Sequence, residues 1–326
     1  MTPEVTFVSY SGRSGSTLLT DQMARQFHNT TVLPEIKSLE VMLALGIQDP
    51  VRLRNVIVSD QQFAQYVEDS NIEEHADRIT DVLLSGGPYA ACLAIAEVVH
   101  GEPPNPGNRL IIKMGASVFS WRELHKALPS SSLIYVHRHP CAVANSQLRT
   151  KRAYSEKGDM GRSDPWHCAR VWNLHTGSAI ALGDAATLVK FEDIIGGTAL
   201  DQIAGQLGFD IRADPAGQGL KIADQESQLH QLVTKDPLDS RVDGWRSELP
   251  PHTQRVVAYL ARYNMRLLGY EPEPSPSSLE MAKAGVVHSN RLATHQLSRV
   301  PLLLSQPRRV ADHLRLRSRR YRTGRS

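Results

Sequence analysis

Cysteine is scarce in this chain: Cys92, Cys141 and Cys168 are the only three in 326 residues, odd in number and widely spaced. With no CxxC pair and no neighbouring histidine set, they argue against a disulfide framework and a zinc site. They favour a reducing compartment, so a cytoplasmic location is expected. Clean apolar runs are missing too. The longest, residues 82–99, is interrupted by Ser85-Gly86-Gly87-Pro88 and carries Glu97. It falls short of the roughly 20 apolar residues a bilayer span needs and reads as a core helix. A strand-like run begins at Val5, so a secretory signal, with its basic and apolar regions, is not expected. Lysine is absent from residues 286–326, where ten arginines face the single acid Asp312, so a basic tail follows a body of net charge −6.

What is present is ordinary globular material. Apolar residues make up 41% and charged residues 22%, which excludes wholesale disorder and suits one large α/β domain with an appendage. Val5 to Tyr10 (VTFVSY) is rich in strand formers, and Thr17 to Phe27 spaces Leu18 or Leu19, Met23 and Phe27 as on a helix. Further strand-like runs are Leu110 to Lys113, Leu133 to His137 and Thr187 to Phe191, with helical stretches between them at Ser120 to Leu128 and Trp166 to Leu182. Such alternation predicts an α/β fold with a central, mostly parallel sheet flanked by helices. Residues 38–100 are mainly helical by pattern. Helices are also predicted at Leu200 to Leu207, before Gly208, and at Gln254 to Leu268, before Gly269.

The segment Ser11-Gly12-Arg13-Ser14-Gly15-Ser16-Thr17 lies between the first strand and the first helix. A turn in that place aims backbone N–H groups and the positive end of the helix dipole at one point, which suits a phosphate. Gly12 and Gly15 allow close approach, Ser14, Ser16 and Thr17 bring hydroxyls, and Arg13 brings a bidentate cation. A nucleotide kinase is the obvious competitor. Its G-x-x-x-x-G-K-[ST] loop would put its first glycine at Tyr10 and its lysine at Ser16, and the strand Leu133 to His137 offers no aspartate for Mg²⁺.

Arg13-Ser14-Gly15-Ser16-Thr17 resembles the 5′-phosphosulfate loop of the sulfotransferases that use 3′-phosphoadenosine 5′-phosphosulfate (PAPS), in their carbohydrate and protein-tyrosine branch. Val136-His137-Arg138-His139-Pro140, with Ser146 eight residues after Arg138, resembles the same family's 3′-phosphate element, although His139 stands where the family usually has Asp. Phe191-Glu192-Asp193-Ile194 and Arg241-Val242-Asp243-Gly244-Trp245-Arg246 resemble two later family elements. The resemblance implies a P-loop-like sulfotransferase fold over residues 1–270; residues 38–100, by their helical pattern, are expected to be an insertion that walls the acceptor pocket. By composition, residues 271–285 are expected to form a Pro/Ser/Glu linker and 286–326 an Arg-rich extension.

The same resemblance implies donor binding by Gly12, Arg13, Ser14, Gly15, Ser16, Thr17, Arg138, Ser146 and Arg241, with PAP as the product. Trp245 is expected either beside the nucleotide or in the core. In-line sulfuryl transfer needs alignment and stabilisation of charge on the departing phosphate, a task for Arg13, and requires no metal. An acceptor hydroxyl must also lose a proton. Glu35, in Leu33-Pro34-Glu35-Ile36-Lys37, is the first choice of base, and His137 and His139 are the alternatives. Lys37 and Lys113 are further candidates for contact with the sulfuryl group. The implied acceptor is the hydroxyl of a carbohydrate, glycolipid or other alcohol. Arg308 to Arg325, with eight arginines, is either a solvated terminus or a basic helix for an anionic membrane or polyanion. A non-enzymatic nucleotide or nucleic-acid binder that uses loop and tail is the competing class.

Overall fold

The computed structural model describes residues 5–67, 71–153, 164–214, 219–222 and 240–305, and the Arg-rich stretch 308–325 lies outside them. In chain order the elements are β1 (Val5–Tyr10), α1 (Ser16–Gln26), β2 (Thr30–Leu33), α2 (Lys37–Leu45), α3 (Pro50–Val58), α4 (Ile72–His100), β3 (Arg109–Lys113) and α5 (Trp121–Ala127). Then follow β4 (Ser131–His137), α6 (Pro140–Ala153), α7 (Pro165–Ala181), β5 (Thr187–Lys190), α8 (Phe191–Ile195) and α9 (Ala199–Leu207). Helical turns at Ser240–Asp243 and Trp245–Glu248 precede α10 (Pro251–Leu267) and α11 (Ser278–Ser305).

By contact the described residues fall into two units, the first drawn from within 1–10, 15–136 and 182–237, the second from within 11–14, 137–181 and 238–326. The first unit holds a five-stranded parallel sheet in the order β2-β3-β1-β4-β5. Every residue of β1 is buried, as expected of a parallel strand covered on both faces. Its register runs from Val5 opposite Leu110 and Ser131 to Val8 opposite Lys113 and Ile134. Period-two alternation divides the core accordingly. Val5, Phe7, Leu110, Ile112 and Leu133 join the cluster that contains α2 to α5, while Val8, Tyr10, Ile111, Ile134 and Val136 join α1, α8 and α9. Each large apolar side chain buried this way contributes about 1.5–3 kcal/mol.

Because β1 has β3 on one side and β4 on the other, its carboxyl end is the point where strand order reverses, the usual ligand position in an open parallel sheet. The phosphate-type loop starts there. Two local readings differ from the structure, in which Phe191 opens a helix rather than ending a strand and α11 begins at Ser278, inside the expected linker; Thr30–Leu33 adds a strand not assigned from the sequence. Residues 38–100 hold α2, α3 and α4. By length and composition alone α4 is apolar enough to cross a membrane. It is broken at Gly87 (φ 82°, ψ −176°), just before Pro88, and buries Ile79, Leu83, Cys92, Ile95 and Val99 in the core of the first unit.

In the second unit α6, α7 and α10 pack around Cys141, Val143, Cys168, Trp172, Trp245, Val257 and Met265. Polar ties lock the helices. Asn173 donates to the Leu260 carbonyl at 2.7 Å and Asn264 to Asn173 Oδ1 at 3.1 Å. Asp164 caps α7 by accepting from the His167 N–H at 2.9 Å, and its other oxygen meets His288 of α11 at 3.3 Å.

Candidate active site

Ser11 to Ser14 form a tight turn in which the Ser11 carbonyl accepts from the Ser14 N–H at 3.2 Å and from Ser14 Oγ at 2.6 Å. Arg13 has φ 75° and Gly15 φ 94°. Left-handed backbone costs a residue such as arginine about 1–2 kcal/mol, so it persists only where the surroundings hold it. Gly15 has a second constraint. A Cβ there would lie 2.3 Å from the Phe191 ring, so glycine alone fits.

The N-terminus of α1 carries no acidic residue in its first turn, and among the described residues no side chain caps it. Ser16 and Thr17 open that helix and are buried. Ser11 Oγ is buried with no hydrogen-bond partner among the described residues. The start of a helix leaves backbone N–H groups without intrahelical partners, and its dipole is positive there.

Helix α6 grips this turn with two consecutive residues. Arg13 Nε donates to Ser146 Oγ at 3.0 Å, and Gln147 Nε2 donates to the Gly12 carbonyl at 2.9 Å. The two sequence elements predicted to bind a nucleotide are therefore hydrogen-bonded to each other through Arg13 and Ser146.

Just upstream, Arg138 Nη2 donates to the backbone carbonyl of Arg241, and the Arg138 carbonyl accepts from Trp172 Nε1 at 2.9 Å. Arg241 was singled out for its guanidinium, and the structure brings its main chain to Arg138. Its side chain is exposed.

His139 explains the departure from the family's Asp. Its Nδ1 accepts from the Cys141 N–H at 3.3 Å, the capping task an aspartate would perform at the start of α6. The ring also stacks on Trp245 at 4.4 Å and meets Tyr270 edge-on. Trp245 is 2% exposed and belongs to the core of the second unit. His137 is buried with Nδ1 3.0 Å from the Tyr270 hydroxyl.

In the first unit Glu35 lies between β2 and α2 and accepts from the Tyr10 hydroxyl. The buried Lys113 ammonium sits 5.4 Å from the Tyr10 ring centre, and Gly115 packs against the same ring. Lys37, by contrast, is exposed. Glu192 and Asp193 stand in the first turn of α8, where acidic side chains complement a helix dipole.

A protein-family model described as "Sulfotransferase family" matches residues 6–200. The chain belongs to the sulfotransferase family. Two solved structures share the fold of this sulfotransferase. The sulfotransferase domain from the Synechococcus PCC 7002 olefin synthase aligns with a TM-score of 0.52 at 18% identity, covering 83% of this chain and 96% of that one. The sulfotransferase domain from the curacin biosynthetic pathway gives 0.53 at 17% identity, over 83% and 99%. At such identity the likeness concerns the fold alone. A search of the curated proteins found no match.

Sequence reasoning missed two residues of this sulfotransferase's candidate site. Tyr10 was read only as the end of a strand, although its place directly before the loop was a signal. Gln147 gave none, because its partner is 135 residues away.

Proposed function

We propose that this sulfotransferase uses PAPS as donor and transfers its sulfuryl group to the hydroxyl of a carbohydrate, glycolipid or other alcohol. When bound, PAPS supplies a sulfuryl group on a phosphate leaving group. The loop Gly12 to Thr17 receives the 5′-phosphosulfate through backbone N–H groups and the Arg13 guanidinium. Arg138 and Ser146, with Arg241 beside them, receive the 3′-phosphate. The buried Ser11 hydroxyl, the uncapped start of α1 and the tight fit at Gly15 suit such an anion. Glu35 takes the acceptor proton.

One observation carries the donor assignment: the 3.0 Å hydrogen bond from Arg13 to Ser146, which joins the two halves of the signature. Calorimetry with PAP tests it. Saturable binding by the wild type is expected, together with turnover of PAPS in the presence of acceptor alcohols. Arg13→Ala is expected to lower turnover about 10²–10³-fold, the usual loss when a donor to developing charge is removed. Absence of PAP binding by the wild type overturns the proposal.

A further inference from the structure

Arg13 adopts φ 75°, a conformation that arginine avoids, and the peptide bond joining it to Gly12 decides whether it stays there. Rotating a peptide plane by half a turn changes ψ of the residue before it and φ of the residue after it in opposite senses. Such a flip at Gly12–Arg13 would return Arg13 to the ordinary negative-φ region. It would also reverse the directions of the Gly12 carbonyl and the Arg13 N–H, which point opposite ways across a trans peptide. The observed orientation therefore needs a contact that holds the carbonyl on the α6 side.

Gln147 is that contact. Its amide Nε2 lies 2.9 Å from the Gly12 oxygen, and the side chain is 7% exposed. Because the partner is a carbonyl, the amide nitrogen and not the amide oxygen must face it. The neighbouring Ser11 carbonyl is already occupied by Ser14, so both carbonyls at the start of the turn are engaged.

We propose that Gln147 is a positioning residue for the anion loop: it fixes the Gly12–Arg13 peptide so that the Arg13 N–H, not the Gly12 carbonyl, serves the ligand side. This inference rests on the reading of the loop as the 5′-phosphosulfate receptor. Without the amide donor the peptide relaxes, and a carbonyl oxygen competes with the incoming anion.

The test compares two ligands on Gln147→Met and Gln147→Glu, the first without a donor and the second with an acceptor against an acceptor. PAP carries both phosphates, whereas adenosine 3′-phosphate lacks the 5′ group that the loop receives. Calorimetry is expected to show PAP affinity reduced tenfold or more in each variant, with adenosine 3′-phosphate affinity unchanged from wild type. Equal loss for both ligands, or loss for neither, overturns the inference. If wild type binds neither ligand, the donor assignment falls first, and this inference falls with it. A variant that does not fold, judged by circular dichroism, leaves the other to decide, and failure of both to fold counts against a purely positioning role.

Discussion

A carboxylate that is to accept a proton in the transition state must be held in one orientation, and the Tyr10 phenol supplies that hold for Glu35. Replacing Glu35 with Gln keeps the shape and removes the proposed base. Turnover is expected to fall about 10²–10⁴-fold, with PAP affinity unchanged in calorimetry. Unchanged turnover would shift the role to His137 or His139. At this scale the sequence was informative where a residue with its own chemistry stands next to a recognisable turn, as Arg13 and Arg138 do. It was silent where a role comes from a distant partner. Nothing about Gln147 as a letter reveals that it meets Gly12, and nothing about His139 reveals that an imidazole can cap α6 and stack on Trp245 at once.

Among the elements, the buried strands were the easiest to foresee because β1, β3 and β4 are continuous apolar runs. β2 escaped because its Thr30-Thr31 half is only partly buried at the sheet edge, so the apolar signal is two residues long. The start of α11 was hidden by prolines, although Ser277 and Glu280 form a reciprocal capping pair: Ser277 N–H donates to the Glu280 carboxylate at 2.7 Å, and Ser277 Oγ accepts from the Glu280 N–H at 3.3 Å. Hydrogen bonding from Arg255 of α10, then from the Ser277 N–H, lowers the Glu280 carboxyl from 4.5 to about 2. A carboxyl depressed on folding stabilises above its unfolded value and loses that contribution as pH falls through the folded one. Docking of α11 is therefore expected to be intact above pH 4.5 and to loosen progressively toward pH 2, with earlier loosening in Arg255→Ala. Amide hydrogen exchange along residues 278–293 measures both. In α4 the break at Gly87 uses a backbone region open essentially to glycine alone, so Gly87→Ala is expected to cost about 1–3 kcal/mol in urea unfolding.

For the molecule as a whole, the three thiols are distributed usefully: Cys92 is buried in the first unit, Cys141 and Cys168 in the second. Burial pushes the Cys92 thiol up to about 12 and raises Cys141 as well, so neither forms thiolate near neutral pH. Native protein at pH 8 is expected to resist a thiol-specific reagent. Labelling of a Cys92-only variant reports opening of the first unit, and labelling of a variant keeping Cys141 and Cys168 reports opening of the second. Prompt reaction of native protein would show that these cores breathe far more than their packing implies. The indoles are distributed unevenly as well, with Trp121 in the first unit and Trp166, Trp172 and Trp245 in the second. Trp245 lies between the His139 ring and the Arg246 guanidinium, each 4.4 Å away. A stacked imidazole alters indole emission, so Trp245 is a built-in optical reporter of the packing around His139, the residue after Arg138, readable without any attached dye.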